Sequence, residues 1–170
     1  MPDRTERAQA VDPRGHSPEQ EAFLAIVRTA AQLTDQIEQV LRPEGIGIAQ
    51  YNVLRILRGA GEAGLPTLAI RDRMIEEAAG ITRLLDRLEV AAFVVRERCT
   101  PDRRQVLCRI TPPGLALLAS LDAPVEEVNT RAVAALTVDE QRNLVTLLGA
   151  VRGGDAGDAQ RTARVGQPPR

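Results

Sequence analysis

The stretch from Leu65 to Leu118 constrains the fold most, because its apolar spacing changes from helical to strand-like and back to helical. Leu65-Pro66-Thr67 opens a helical run with Leu68, Ile70 and Met74. After a brief turn, residues 77–90 place Ala78, Ile81, Leu84, Leu85 and Leu88 at helical spacing. Gly80 falls inside this second run, where it costs about 1 kcal/mol relative to alanine. Phe93 to Cys99 and Gln105 to Ile110 are β-type, parted by a turn with Pro101 and Asp102. Thr111 then caps a new helix with proline at its first position.

Pairing Cys99 with Val106 sets Glu97 opposite Cys108 and Val95 opposite Ile110. This register predicts a hairpin with a dry side and a cationic side bearing Arg96, Arg98 and Arg109. Two short helices joined by a tight turn and followed by an arginine-bearing hairpin suggest a winged helix-turn-helix that grips DNA.

The flanks read as helical frame. Ser17-Pro18-Glu19-Gln20 is a helix start with a capping box, and Phe23, Ile26, Val27, Ala30, Ile37, Val40 and Leu41 follow as one stripe, ended by Arg42 to Gly45. Ala49 to Arg58 carries Val53, Leu54 and Leu57 on one face. After Thr111, Leu115, Leu118 and Leu121 continue to Pro124, which is expected to kink or restart the helix before Val125 and Val128. Thr137 to Glu140 is a further capping box, leading into Leu144, Val145, Leu147, Leu148 and Val151. With 44% hydrophobic residues, 2% aromatics and no Trp, the core must be aliphatic, which favours a mainly α protein with a small β-hairpin wing.

Residues 1–16 and 153–170 read as a disordered arm and tail. The expected organisation between them is a single domain over 17–152, with a winged helix-turn-helix at about 48–110 and dimerisation helices at 17–42 and 111–152. The first helix has more apolar face than a three-helix core can cover, so a second copy of the chain is the expected partner.

The formal net charge is −1, yet residues 81–109 hold seven Arg against four acids, a local surplus on an acidic body. Ordinary surfaces also carry a surplus of this size. Every basic residue is Arg, an always-charged fork suited to phosphate or guanine edges. Cys99 and Cys108 are too few for a disulfide scaffold, the start lacks an apolar signal region, and no apolar run has membrane-spanning length, so a cytoplasmic protein is expected. The lone His16 has no metal-ligand spacing around it, and no phosphate loop, catalytic dyad or cysteine cluster occurs. The expectation is no enzyme, no metal and no cofactor.

Thr82-Arg83-Leu-Leu-Asp86-Arg87-Leu88-Glu89, Asp102-Arg103-Arg104 and Thr111-Pro-Pro-Gly114-Leu115, with Gln50 to Leu54 upstream, resemble the signature of MarR-type transcriptional regulators over roughly residues 20 to 150. The resemblance implies a homodimer with interlocked terminal helices and two winged lobes reading successive turns of a double-stranded operator. It also implies a repressor released by a small aromatic effector or by cysteine oxidation. Two departures stand out. The family often has glycine between recognition helix and wing, where this chain has Ala92 and is expected to need a different turn. Glu76 and Glu77 occupy the start of the recognition helix, where they repel phosphate or accept from a cytosine amino group.

Thr82, Arg83 and Arg87 lie outside the Ile81/Leu85/Leu88 stripe, where a recognition helix meets the major groove. Their plainer reading is a solvated face with Arg87 paired to Asp86 or Glu89. By resemblance Arg104 enters the minor groove, oriented by Asp102, with Arg103 on phosphate; Arg98 belongs to the same cationic surface. The plainer reading there is an aspartate-stabilised turn with exposed arginines. Phe23, Tyr51 and Arg55 are candidate lining residues of an effector pocket, although a lone aromatic at helical spacing is usually core. Cys99 and Cys108 read better as small buried fillers than as a redox pair. The rival reading is a helical dimer of the same fold that acts as a protein-interaction or ligand-sequestering module.

Overall fold

The structure, a computed structural model, describes residues 15–74, 80–98 and 106–153, without the Arg98 side chain. The chain divides into two compact units, residues 1–36 and 37–170. In the first, Ser17 Oγ accepts from the Gln20 amide at 3.3 Å and so forms the expected serine cap of α1 (Pro18–Leu41). Phe23, Ile26 and Val27 are all exposed on this helix.

In the second unit the order is the end of α1, α2 (Ile48–Ala60), β1 (Leu65–Pro66), α3 (Thr67–Arg71), α4 (Ile81–Val90), β2 (Val94–Arg98), β3 (Val106–Ile110), α5 (Pro112–Ala132) and α6 (Val138–Val151). Leu41, Leu54, Leu57, Ile70, Leu85, Leu88 and Leu118 are fully buried in one aliphatic core, drawn from every helix here except α6. Each such side chain contributes on the order of 1.5–3 kcal/mol by leaving water. Glu38 Oε1 accepts from the Ile48 amide at 2.7 Å, so a side chain of α1 satisfies one of the orphan donors that open α2.

Several expectations need correction. Leu65 and Pro66 do not open a helix: they form an edge strand paired with Cys108 and Leu107, and the helix begins at Thr67. An edge suits Pro66, which has no amide to give a further strand. Gly80 is not within a helix but is the residue before α4, at φ +108, where glycine is at home. Pro124 does not restart α5, which stays helical across it. Only one backbone hydrogen bond is forfeited there, and buried Leu121 and Val125 hold both sides.

The sheet runs β1-β3-β2, all antiparallel. Its register is one residue away from the expected one: Val94 faces Ile110 and Arg96 faces Cys108. A one-residue slip exchanges the faces. Val94 and Cys108 therefore share the buried side, and the register sets Arg96 on the other face from Arg109 rather than beside it. Either of the adjacent valines 94 and 95 satisfies an apolar pattern; what selects Val94 is the knot at the base of the hairpin.

That knot begins with Ala92. The Ala92 amide donates to Glu89 O at 2.9 Å and the Phe93 amide to Leu88 O at 2.9 Å, a Schellman ending of α4 with Ala92 at φ +59. The turn therefore does not change to suit alanine; alanine takes the left-handed conformation that glycine would take. Thr111 closes the other side: its amide donates to Phe93 O at 3.0 Å, its Oγ1 donates to Ala92 O at 2.7 Å and accepts from the Gly114 amide at 3.2 Å. Gly114 lies so close that a Cβ there would sit 2.4 Å from Phe93 O.

Two substitutions test this junction in opposite directions. Ala92→Gly should stabilise the fold by about 0.5–1 kcal/mol, as relief of the left-handed Cβ outweighs the added unfolded-state entropy. Gly114→Ala should destabilise it by about 1–3 kcal/mol through forced backbone displacement. Urea denaturation followed by circular dichroism measures both, and loss of stability in Ala92→Gly would contradict the turn described.

Candidate nucleic-acid interface

Helices α3 and α4 form the helix-turn-helix, although residues 75–79 between them, with Glu76 and Glu77, lie outside the described residues. Burial of Ile81, Leu85 and Leu88 turns the opposite face of α4 outward, and Thr82, Arg83 and Arg87 are exposed there. Arg83 and Arg87 are four residues apart, a spacing that places like charges side by side at a cost of about 0.2–0.5 kcal/mol.

Arg87 is not paired with Asp86 or Glu89, as the plainer reading had it. Helix neighbours one and two positions apart do not face each other. Both carboxylates instead bind Arg96 of β2: its Nη2 donates to Asp86 Oδ1 at 2.6 Å, its Nε donates to Glu89 Oε2 at 2.8 Å, and Nη2 also reaches Glu89. The hydrogen bond from Arg96 holds the Glu89 carboxyl below the usual carboxylate range, and the guanidinium is pushed up in return. Arg96, expected on a free cationic side, is thus engaged. Arg109 is engaged too, donating from Nε to Glu62 O at 2.7 Å and from Nη1 to Glu97. The signal for Arg96 was present in the sequence as two acids three residues apart on α4, but it needed the correct register to be read.

Of the wing residues, Arg98 lies on β2, its side chain outside the described part, and Asp102, Arg103 and Arg104 lie outside the described residues. Cys99 does as well. Cys108 is fully buried beside Thr67, its Sγ 3.8 Å from Thr67 Oγ1, and burial pushes its thiol up, away from the reactive thiolate. This fits a small apolar filler.

Phe23 is 64% exposed in the first unit, whereas Tyr51 is a core residue of the second, 4% exposed. Arg55 places its guanidinium carbon 5.7 Å from the centre of the Tyr51 ring, a cation–π arrangement. Burial pushes the Tyr51 hydroxyl up against the opposing pull of Arg55. Two turns after Tyr51, Arg58 Nη1 donates to Asp122 of α5 at 2.8 and 3.0 Å, tying α2 to α5. Among the described residues, no group of three or more His, Cys, Asp or Glu side chains is placed to hold a metal ion, and no helix is long and apolar enough to cross a membrane.

No family model matches the chain. A curated relative, the HTH-type transcriptional regulator TtmR of Methylorubrum extorquens, is 35% identical over 103 residues, 61% of this chain and 51% of the relative. The chain spans between 51% and 65% of the length of the first curated relatives it matches. Among solved structures, a mutant MarR from E. coli complexed with operator DNA is 26% identical with a TM-score of 0.70, covering 77% of this chain and 93% of that one. The MarR transcription factor from Planctomyces limnophilus is 36% identical with a TM-score of 0.63, and the match covers 79% of this chain and 98% of that one. With that identity over nearly the whole of a solved relative, and the same winged architecture, the chain belongs to the MarR family.

Proposed function

We propose that the chain is a sequence-specific DNA-binding transcription regulator that acts as a homodimeric repressor in the cytoplasm and has no catalytic activity of its own. The observation that carries this reading is the outer face of α4. It presents Thr82, Arg83 and Arg87 to solvent while the neighbouring acids are bound by Arg96. A surface helix gains nothing in stability from two adjacent arginines, whereas a polyanion gains two forks that fit phosphate or guanine edges. The mutant MarR of E. coli was solved with operator DNA, which supports the same use of the fold.

In this reading residues 48–110 form the DNA-binding lobe, with Thr82, Arg83 and Arg87 in the major groove. Arg98, Asp102, Arg103 and Arg104 serve the wing, Asp102 orienting Arg104 toward the minor groove. Residues 17–42 and 111–152 supply the dimer contact. Exposed apolar side chains on α1 and, separately, on α6 support it, because faces of this kind mark surfaces that a second chain covers. A small aromatic effector would release the DNA. Arg55, its guanidinium already over the buried Tyr51 ring, is the cation this reading assigns to that effector.

The deciding experiment is a gel-shift titration of the protein on the intergenic DNA upstream of its own gene, with unrelated DNA as competitor and salt varied. A complex that survives competitor is expected. Its affinity should fall on the order of a thousandfold between about 50 and 200 mM salt, as counterions released from phosphates return. No complex at low salt would overturn the reading in favour of an interaction or sequestering module. In the same assay Arg104→Ala should weaken binding at least several-fold with the fold intact, and unchanged binding would remove Arg104 from the interface.

A further inference from the structure

Asp86 sits three residues after Arg83 on α4, a spacing at which a helix brings carboxylate and guanidinium together. No other position three or four residues from Asp86 holds a cation: 82, 89 and 90 are Thr, Glu and Val. Glu89 has no cation at such a spacing within α4 at all. In the structure neither acid turns to α4 for a partner. Arg96 spans both from the adjacent strand, with its side chain 24% exposed against 50% for Asp86 and 38% for Glu89. The guanidinium presents its donors in a fixed planar fork and so holds the two carboxylates in one set geometry, whereas a lysine ammonium offers three donors on a freely rotating head. Arg96 is itself on the sheet face shared with buried Val94 and Cys108, and its donors are turned to α4.

We propose that Arg96 is a positioning residue for DNA binding: by holding Asp86 and Glu89 it keeps the Arg83 guanidinium unpaired and available to the nucleic acid. The inference rests on the DNA-binding reading above. It assigns Arg96 an effect on affinity without any contact to DNA. Once Arg96 is lost, Asp86 is free to pair with Arg83 along the helix, and Glu89 stands as an uncompensated negative charge near the phosphates. Both consequences oppose binding, and both act through the carboxylates.

The test is a double-mutant cycle in the gel-shift assay, with folding checked by circular dichroism. Arg96→Gln should lose on the order of tenfold in affinity, the equivalent of one paired guanidinium. Adding Asp86→Asn and Glu89→Gln to it should restore most of that loss, and in an Arg83→Ala background the Arg96→Gln effect should shrink to a small remainder. A full-size loss in the Arg83→Ala background, or no recovery in the triple variant, would overturn the proposal and leave Arg96 a structural tie. If Arg96→Gln does not fold, Arg96→Lys serves in the same cycle, with a smaller loss expected.

A second readout needs no DNA. Exchange of the Arg83 Nε–H with water, followed by NMR, should be fast in the unaltered protein and slowed in Arg96→Gln as Asp86 becomes its acceptor. Unchanged exchange would refute the pairing. Failure of the unaltered protein to bind DNA would instead refute the parent reading, so the two failures are separable.

Discussion

The placement of the candidate interface depends on the hydrogen-bonded knot between Leu88 and Gly114. Four elements meet there: the end of α4, the start of β2, the end of β3 and the cap of α5. Phe93 O accepts from Thr111 while Ala92 O accepts from the Thr111 hydroxyl, so one residue fastens the two ends of the hairpin and caps the next helix. The close approach of Gly114 leaves no room to slide the helix against the strand. A recognition helix and a wing can read one duplex together only if their separation is fixed, and this junction fixes it over a few residues of backbone. Alanine at a left-handed position is the local cost, on the order of 1–2 kcal/mol.

Charge is distributed around that junction by the same geometry. The segment 81–109 is basic by count, but the structure spends that surplus unevenly. Arg96 goes to two acids of α4 and Arg109 to Glu97 and a carbonyl, so what stays exposed and unengaged among the described residues of this segment is Arg83 and Arg87. Exposed ion pairs contribute little to stability, typically about 0–1 kcal/mol. Their value here lies in which cations they leave over.

This explains what was legible in the sequence. Local chemistry was: Ser17, Thr111 and Thr137 cap their helices as their neighbours required, and the stripe Ile81, Leu85, Leu88 faces inward. Thr137 and Glu140 complete the reciprocal box, which holds the Glu140 carboxyl below its usual range. Features that depend on a partner distant in the chain were not. Val94 and Val95 are interchangeable to an alternation pattern, and the register found, continued by the bond from Thr111 to Phe93, is the one that buries Val94. With the register went the destiny of Arg96. Leu65-Pro66 resembled a helix start because proline suits both a first turn and an edge strand, and β3 settles the choice. Of the site itself, the α4 residues lie exposed as the stripe implied, and the plainer alternative for Arg87, a pairing with Asp86 or Glu89, is not the arrangement found, because Arg96 holds both acids.

The last helix raises a different question, because α6 has 14 residues and contributes no buried side chain. A helix of that length is marginal alone in water, and its capping box adds only about 1 kcal/mol. Gln141 anchors its first turn by donating to Leu136 O at 3.1 Å and Val133 O at 3.4 Å, which orients the helix without covering it. Val145, Leu147 and Val151 are more than half exposed, and burial of each would contribute on the order of 1.5–3 kcal/mol. Such a helix is better accounted for as half of an interface than as a free surface element. The proposed homodimer supplies the other half from an identical chain, and the same association that completes α6 would bring two copies of the Arg83 and Arg87 face to a single duplex.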